Sequence, residues 1–309
     1  MLVEASGITP EGRISPDDSG IWSDEQVAAF RRITAFVSKH GAVPGIQIAH
    51  AGRKASVSPP WLGGKPLGPD ERGWQPVGPS ALPFDDGWLM PRELGSGELG
   101  DVVEAFVASA RRAQAAGFRL LEIHAAHGYL LHSFLSPLSN LRSDAYGGDF
   151  AGRTRLVLEV VEAVRAVWPA ELPLSVRISA SDWVEGGWAL DDSVALATLL
   201  GPLGVDLVDC SSGGNSPGAQ IPLDPGYQVP FAAAIRRRAG IATGAVGLIT
   251  ESRQAEDILQ AGDADVVLLG RASLRDASWP LRAARELGVE SDDWPTQYLR
   301  ARRRTAALR

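Results

Sequence analysis

Residues 118–129 read Phe-Arg-Leu-Leu-Glu-Ile-His-Ala-Ala-His-Gly-Tyr, and this stretch predicts both a strand and a site. The mostly apolar run Phe118–Ile123 is typical of a buried strand in a parallel sheet. His124, His127 and Tyr129 follow it, at the strand end where α/β barrels perform their chemistry. Imidazoles can hydrogen-bond a substrate oxygen, and a tyrosine hydroxyl can deliver a proton. The cluster therefore indicates a site that polarises a carbonyl group and protonates a carbon atom.

Strand patterns alternate with helix patterns on both sides of this segment, which favours a parallel sheet joined by right-handed crossovers. The predicted strands are Met1–Ala5, Gly45–Ala49, Phe118–His124, Leu174–Ser179, Val205–Ser211, Ile241–Val246 and Asp265–Gly270. The predicted helices are Asp24–Lys39, Glu98–Ala115, Arg153–Trp168, Asp191–Leu203, Pro230–Ala239, Ser252–Ala261 and Trp279–Glu286. Ser23 and Gln26 have the spacing of a capping box before the first helix.

The number of units distinguishes two α/β architectures. A TIM (β/α)8 barrel has eight strand–helix units, whereas this chain opens inside a strand and shows about seven. We expect an N-terminally incomplete TIM barrel in a single domain, residues 1–309, with a C-terminal tail at 290–309. An open doubly wound sheet is the alternative, but no Gly-x-Gly-x-x-Gly fingerprint follows the first strand.

Two long loops interrupt the alternation. Residues 51–95 are rich in Pro, Gly and Trp, and a loop of that length is usually a functional lid over the barrel mouth or a bland surface excursion. Residues 132–152 form the second predicted loop.

Composition argues against several classes of function. The chain is 45% hydrophobic with a net charge of −7, so it can bury a large core but has no general attraction for nucleic acid or anionic membranes. Met1–Glu4 becomes acidic too early for a signal peptide, and no apolar run reaches the roughly 18 residues of a membrane span. We therefore expect a cytoplasmic protein with neither nucleic-acid nor membrane partners. Cys210 is the only cysteine, which excludes an intrachain disulfide.

Polar residues at other strand ends extend the candidate site. Gln47 offers an amide suited to a heteroaromatic ring edge, or it is a satisfied core amide. Arg177 lies inside an apolar strand and needs a partner, either an anion, an electron-rich ring edge or an internal carboxylate. Gly247 and Gly270, with Arg271, follow the last two strands, the usual phosphate position in these barrels, although glycines there also make plain turns. Together they favour a planar phosphorylated cofactor.

Metal binding and a core role are the alternatives for His124 and His127. Two histidines three residues apart can share a metal, but a third ligand is hard to find, since His50 and His132 are only loosely near in sequence. A core role is weak because Ala125, Ala126 and Gly128 leave the rings room to face a pocket.

Several long motifs resemble the Old Yellow Enzyme family of FMN-dependent ene-reductases, in particular its bacterial thermophilic-like branch, over essentially the whole chain. The motifs are Glu4–Ile14, Gln47–Ala55, Glu122–His132, Phe134–Arg142, Asp144–Gly148, Val176–Ser179 and Val246–Thr250. The resemblance implies a TIM barrel with FMN at its mouth, reduced by NADPH or NADH and reoxidised by an alkene conjugated to a carbonyl or nitro group. It also implies a homodimer or homotetramer.

The resemblance carries roles onto matching residues. His124 and His127 resemble the pair that holds the substrate's carbonyl oxygen, and Tyr129 resembles the donor that protonates the α-carbon. Ala5, Gln47 and Arg177 resemble positions around the flavin ring, whereas Gly247, Gly270 and Arg271 resemble the phosphate site. Arg300 resembles an arginine that reaches into a neighbouring subunit's active site.

Two departures from the family pattern are visible. Members usually carry a first strand and helix before the segment that begins here at Met1, with a flavin-tuning cysteine or threonine that Cys210 does not replace. Gly147-Gly-Asp-Phe-Ala-Gly-Arg153 also departs from Gly-Gly-Ser-x-x-Asn-Arg. The competing hypothesis is a non-catalytic barrel remnant unable to hold FMN, and a metal-dependent hydrolase is a third.

Overall fold

One parallel sheet of seven strands organises the chain. The computed structural model describes residues 1–289 and 294–301. The strands are β1 (Leu2–Gly7), β2 (Gly45–Ala49), β3 (Leu120–Ala125), β4 (Leu174–Ser179), β5 (Leu207–Ser211), β6 (Ala242–Ala245) and β7 (Val266–Val267). Their order in the sheet is their order in the chain, as in a TIM barrel. Within the described residues β1 and β7 are the sheet's two edges, so the predicted seven-unit, unclosed barrel is confirmed.

Helices follow the strands as crossover connections. They are α1 (Asp24–Lys39), α2 (Glu98–Ala115), α3 (Leu130–Leu135), α4 (Phe150–Val167), α5 (Leu190–Leu200), α6 (Val229–Ala239), α7 (Ser252–Gln260), α8 (Arg271–Arg275) and α9 (Trp279–Glu286). The predicted capping box is present, since the Ser23 N–H donates to Gln26 Oε1 at 3.0 Å. No helix in the described ranges is long and apolar enough to cross a membrane.

The predicted loop at 132–152 was wrong at both ends. Its first residues belong to α3, a six-residue helix too short for a periodic pattern. Its last residues belong to α4, which begins at Phe150 because the Asp149 carboxylate accepts a hydrogen bond from the Gly152 N–H at 2.9 Å, a helix-capping interaction. The predicted tail is described only over 294–301, where Thr296–Ala301 forms a 3₁₀ turn; the rest of 290–309 lies outside the described residues.

The two faces of the sheet differ in chemistry. Side chains alternate between faces along a strand, and one set, including Ile46, Ile48, Leu121 and Ile123, is fully buried among apolar neighbours. The other set is polar and mostly buried. The hydrogen-bond register aligns these polar residues across strands: Gln47 with Glu122, Glu122 with Ser175, His124 with Arg177, and Arg177 with Asp209. The barrel interior is therefore a polar network beneath the candidate site.

Residues 51–95 are hydrogen-bonded to neighbouring loops. Trp74 Nε1 donates to the carbonyl oxygen of Glu11 at 2.8 Å, and Arg53 Nη2 donates to the carbonyl oxygen of Asn215 at 2.6 Å. The segment thus contacts the loops that follow β1 and β5. Its short elements are the 3₁₀ turns Gly52–Lys54, Pro60–Leu62 and Pro69–Glu71 and the paired strands Val77–Gly78 and Arg92–Glu93.

Candidate active site

The three residues of the initial motif converge at the carboxyl end of β3. His124 lies near the end of the strand, and His127 and Tyr129 occupy the turn before α3. The ring centroid of His124 is 5.0 Å from that of His127 and 4.9 Å from that of Tyr129, both edge-to-face. Nε2 of His124 and Nδ1 of His127 are 3.3 Å apart. The predicted cluster is therefore assembled.

The backbone of His127 is held in an unusual conformation by hydrogen bonds to two partners. Its φ is +59°, a region that residues other than glycine rarely adopt. Its N–H donates to Ser179 Oγ at 2.9 Å, and its carbonyl oxygen accepts from Lys54 Nζ at 2.8 Å. Lys54 Nζ also donates to the carbonyl oxygen of Gly214 at 2.8 Å. Lys54 therefore joins the turn after β3 to the loop after β5.

Gly214 allows these two loops to approach closely. Its φ is +86°, and a Cβ there would lie 2.7 Å from His127 Cα, well inside van der Waals contact. Gly148 provides a matched comparison, because its φ is +73° but a Cβ there would have no atom within 4 Å.

Replacing Gly214 with alanine should destabilise the protein more than replacing Gly148. Both variants incur a positive-φ penalty of about 1–2 kcal/mol, and Gly214→Ala adds an overlap cost of about 1–3 kcal/mol. Chemical denaturation of the two variants measures the difference. Equal losses would show that the approach of the two loops is not tight.

Burial keeps both imidazoles neutral. Desolvation, reinforced at His124 by Arg177 and at His127 by the neighbouring His124, lowers the pKa of each ring well below 6.5. Desolvation also raises the pKa of the Tyr129 phenol to about 12. Near neutral pH the site therefore holds two neutral imidazoles and a protonated phenol, which are hydrogen-bond donors without net charge.

These shifts predict a loss of stability in acid. In the unfolded chain the two histidines take up protons as pH falls through about 6.5, whereas in the folded chain they do not. Stability should therefore decrease from pH 7 to pH 5, by up to about 1.4 kcal/mol per pH unit for each ring. The double variant His124→Ala/His127→Ala should flatten this dependence in urea titrations, whereas His40→Ala, at an exposed position, should not. An unchanged slope in the double variant would contradict the assignment.

Gln47 and Arg177 both have partners inside the barrel, as in the alternatives that the sequence left open: a satisfied core amide for Gln47 and an internal carboxylate for Arg177. Gln47 Nε2 donates to Glu122 Oε1 at 2.7 Å, and Ser175 Oγ donates to Glu122 Oε2 at 2.9 Å. Arg177 Nε lies 3.1 Å from Asp209 Oδ2, so an internal carboxylate is its partner. Burial and the Glu122 charge raise the pKa of Asp209 to about 8, against the opposing influence of Arg177. The Arg177 side chain remains 22% exposed, which leaves part of its guanidinium accessible at the mouth.

The predicted phosphate residues lie at the ends of β6 and β7. Gly247 has a φ of +113°, and a Cβ there would meet Gln228 Nε2 at 2.6 Å, so its backbone conformation and the close approach of Gln228 already explain this glycine. Gly270 differs, because a Cβ on it would have nothing within 4 Å, and Arg271 beside it is exposed. An open backbone beside an exposed guanidinium fits an anion such as a phosphate group.

The other predicted residues are placed as follows. Ala5 and Tyr129 line the same small cavity of about 10 Å³, so the structure brings these two together. Arg300 is exposed in the 3₁₀ turn Thr296–Ala301, and Cys210 is buried in β5. Over residues 1–289 and 294–301, no three His, Cys, Asp or Glu side chains are grouped so that they could hold a metal ion.

Besides Lys54 and Ser179, two further residues near the site were not predicted from the sequence. Ser211 Oγ lies 2.6 Å from His127 Nε2, and a hydroxyl at the end of a predicted strand was a signal that could have found it. Gln228 accepts hydrogen bonds from Ser211 and Ser212, but it lies just before α6 in a loop with no local signal. Its role depends on contacts between distant segments.

The residues present fit FMN. The Gln47 amide lies within β2 and the partly accessible Arg177 guanidinium within β4, and the open Gly270 with exposed Arg271 follows β7. Gly270 and Arg271 lie at the carboxyl ends of the strands, where ligands bind in α/β barrels, and Gln47 and Arg177 belong to the network beneath that end. Hydrogen-bonding groups for a ring and a cationic site for a phosphate are what a flavin mononucleotide requires.

Comparison with known proteins leads to the same cofactor. The model of the NADH:flavin oxidoreductase / NADH oxidase family matches residues 1–290. The NADPH dehydrogenase of Geobacillus thermodenitrificans is 49% identical over 300 residues, which are 97% of this chain and 83% of that protein. The solved old yellow enzyme homologue from Zymomonas mobilis has a TM-score of 0.77 at 27% identity, covering 94% of this chain and 80% of its own. Morphinone reductase in complex with tetrahydroNAD has a TM-score of 0.74 at 27% identity, covering 96% and 80%.

Fold, site and relatives define an FMN-dependent NAD(P)H oxidoreductase on a TIM-barrel-like sheet. The chain belongs to the NADH:flavin oxidoreductase / NADH oxidase family, which includes the Old Yellow Enzymes that its motifs resemble.

Proposed function

We propose that this oxidoreductase is an ene-reductase, which reduces an alkene conjugated to a carbonyl or nitro group. The observation that carries the proposal is the cluster of His124, His127 and Tyr129. FMN, when bound, supplies the hydride that adds to the β-carbon, having received it from NADPH or NADH. The chain's own residues bind and polarise the alkene and deliver the second hydrogen as a proton.

His124 and His127 bind the substrate oxygen. Nε2 of His124 and Nδ1 of His127 are 3.3 Å apart, so one oxygen atom can contact both nitrogens. Donors fixed at this position stabilise the negative charge that develops on the oxygen as the enolate forms. Because both rings are neutral, they stabilise the charge without giving up a proton.

Tyr129 protonates the α-carbon. A pKa of about 12 keeps its hydroxyl protonated at neutral pH, which a proton donor requires. Its ring packs edge-to-face on His124, so the donor is adjacent to the oxygen-binding pair. Such a positioned acid contributes about 10²–10⁴-fold in rate.

Ala5, Gln47 and Arg177 would hold the flavin ring, and Gly247, Gly270 and Arg271 would hold its phosphate. The likeness to morphinone reductase in complex with tetrahydroNAD supports a pyridine nucleotide reductant at the same mouth. We further propose a cytoplasmic homodimer or homotetramer in which Arg300 approaches a neighbouring subunit, consistent with its exposure.

Product analysis under anaerobic conditions tests the proposal. Purified protein with FMN, NADPH and 2-cyclohexenone should yield cyclohexanone, with the β-hydrogen derived from NADPH and the α-hydrogen from solvent. Deuterated NADPH and deuterated water distinguish the two positions by mass spectrometry. NADPH oxidation by oxygen or a dye, without a saturated ketone, would show a dehydrogenase whose acceptor is not an activated alkene.

The second hypothesis is a barrel that keeps the family sequence but does not hold FMN. The observation that favours it is that β1 and β7 are not paired with each other in the described part of the chain, because unpaired strand edges leave backbone hydrogen-bonding groups open to water. Flavin binding separates the two hypotheses.

A further inference from the structure

We propose that Ser211 is a positioning residue that selects the tautomer of His127, so that the ring donates a hydrogen bond from Nδ1 when an oxygen ligand binds. This inference rests on the proposed function, since it concerns how the His124/His127 pair receives the substrate oxygen. It follows from the donor-to-acceptor directions of five consecutive hydrogen bonds.

The assignment of donors and acceptors begins at His124. The backbone N–H of Ala126 donates to His124 Nδ1 at 3.1 Å, so this nitrogen carries no proton. A neutral imidazole has one protonated nitrogen, and in His124 it is Nε2. Nε2–H of His124 faces Nδ1 of His127 at 3.3 Å, so in the ligand-free protein His127 Nδ1 is the acceptor.

The same assignment of donors and acceptors extends from His127 through Ser211 to Gln228. With Nδ1 accepting, His127 carries its proton on Nε2 and donates it to Ser211 Oγ at 2.6 Å. The Ser211 hydroxyl then donates to Gln228 Oε1 at 3.4 Å. Gln228 Nε2 donates to the carbonyl oxygen of Val246 at 2.9 Å, which orients the amide so that Oε1 faces the serines.

In this arrangement the two histidines cannot both donate a hydrogen bond to a substrate oxygen. A carbonyl or enolate oxygen only accepts hydrogen bonds, so it needs protons on both His124 Nε2 and His127 Nδ1. His127 must therefore lose the proton on Nε2 to solvent water and gain one on Nδ1, and the ring stays neutral. Ser211 permits this change because a hydroxyl both donates and accepts: it turns and donates to Nε2.

The rest of the network tolerates the reversal. When Ser211 turns away, Gln228 Oε1 keeps the hydrogen bond from Ser212 Oγ at 2.7 Å, so no buried acceptor is left without a donor. The hydrogen bond from Ser211 to His127 contributes more to stability in the bound state, because there it strengthens a donor that faces a charged oxygen. In the free state the His124–His127 and Ser211–Gln228 hydrogen bonds are long, at 3.3 and 3.4 Å.

Nitrogen-15 NMR of the histidine-labelled, FMN-loaded wild-type protein tests the inference directly. Protonated and bare ring nitrogens resonate at different frequencies, and the chain has only five histidines. We expect the His127 proton on Nε2 without ligand and on Nδ1 with 4-nitrophenol, whose absorbance reports that it is bound as the phenolate. A proton that stays on Nε2 with phenolate bound, or that is on Nδ1 before binding, would overturn the inference.

Matched variants measure the effect on affinity. Ser211→Ala should weaken phenolate binding about five- to tenfold, and Ser211→Thr, which restores a hydroxyl, should return it to within about threefold. Ser109→Ala is the control, because the buried Ser109 hydroxyl on α2 donates to the carbonyl oxygen of Ile21 at 3.5 Å, outside this network; it should change the affinity less than about twofold. Unchanged affinity in Ser211→Ala, or an equal loss in Ser109→Ala, would contradict the role of Ser211.

The two proposals can fail separately. If His124→Ala/His127→Ala binds phenolate as tightly as the wild type, the oxygen-binding site itself is wrong. If that variant loses binding but Ser211→Ala does not, the ene-reductase proposal stands and Ser211 has no part in selecting the tautomer.

Discussion

Tyr129→Phe should slow the oxidation of the reduced enzyme by an enone about 10²–10⁴-fold, while FMN reduction by NADPH remains near the wild-type rate. The substitution removes only the hydroxyl, whose raised pKa of about 12 keeps it protonated until it is needed. Because the ring remains, its packing on His124 is preserved. Stopped-flow measurement of the two half-reactions separates the effects.

Tyr146→Phe is the matched control. The Tyr146 hydroxyl donates to Glu159 Oε2 at 3.1 Å, outside the cluster, so its loss should leave both half-reactions unchanged. If Tyr129→Phe kept the wild-type rate with the enone, another group would be the proton donor.

His124→Ala/His127→Ala should lower kcat/KM for the enone at least about 10²–10³-fold, the usual cost of losing one donor to a developing oxyanion. It should also abolish measurable binding of 4-nitrophenol. FMN should stay bound, because the groups assigned to the ring and phosphate lie on other strands. Flavin absorbance during a titration with 4-nitrophenol reports both FMN binding and phenol binding in one sample.

His40→Ala serves as the control for this pair, since His40 is exposed at the end of α1. Retained phenol binding in the double variant would remove the oxygen-binding role. Loss of FMN together with phenol binding would instead show that the pair supports the flavin site.

Much of the fold was predictable because local signals and tertiary packing agree. The strands Gly45–Ala49 and Leu174–Ser179 were predicted with the bounds that the structure has, since each is a short apolar run that follows a proline- or glycine-containing turn. The helices Asp24–Lys39 and Glu98–Ala115 likewise match. The last strand was predicted too long, because only Val266–Val267 finds a partner strand.

The candidate site was predictable in its members but not in its connections. His124, His127 and Tyr129 lie within six residues, so one motif identifies them. Ser211 and Gln228 are separated from His127 by 84 and 101 residues along the chain, and only the folded arrangement of β5 and the loops after β3 and β5 brings them together. For Arg177 the sequence left two partners open, an internal carboxylate or a cofactor. The periodicity of one strand cannot show that Asp209 lies opposite Arg177 on the next.

Flavin content tests the central claim most directly. The chain is purified, incubated with FMN and freed of excess, and its visible absorbance is compared with the flavin released on denaturation. A flavin spectrum with one FMN per chain is the predicted result, and it would mean that seven strand–helix units suffice to hold the cofactor. A folded, colourless protein that retains no added FMN would contradict the account and identify a barrel that keeps the family's residues without its cofactor.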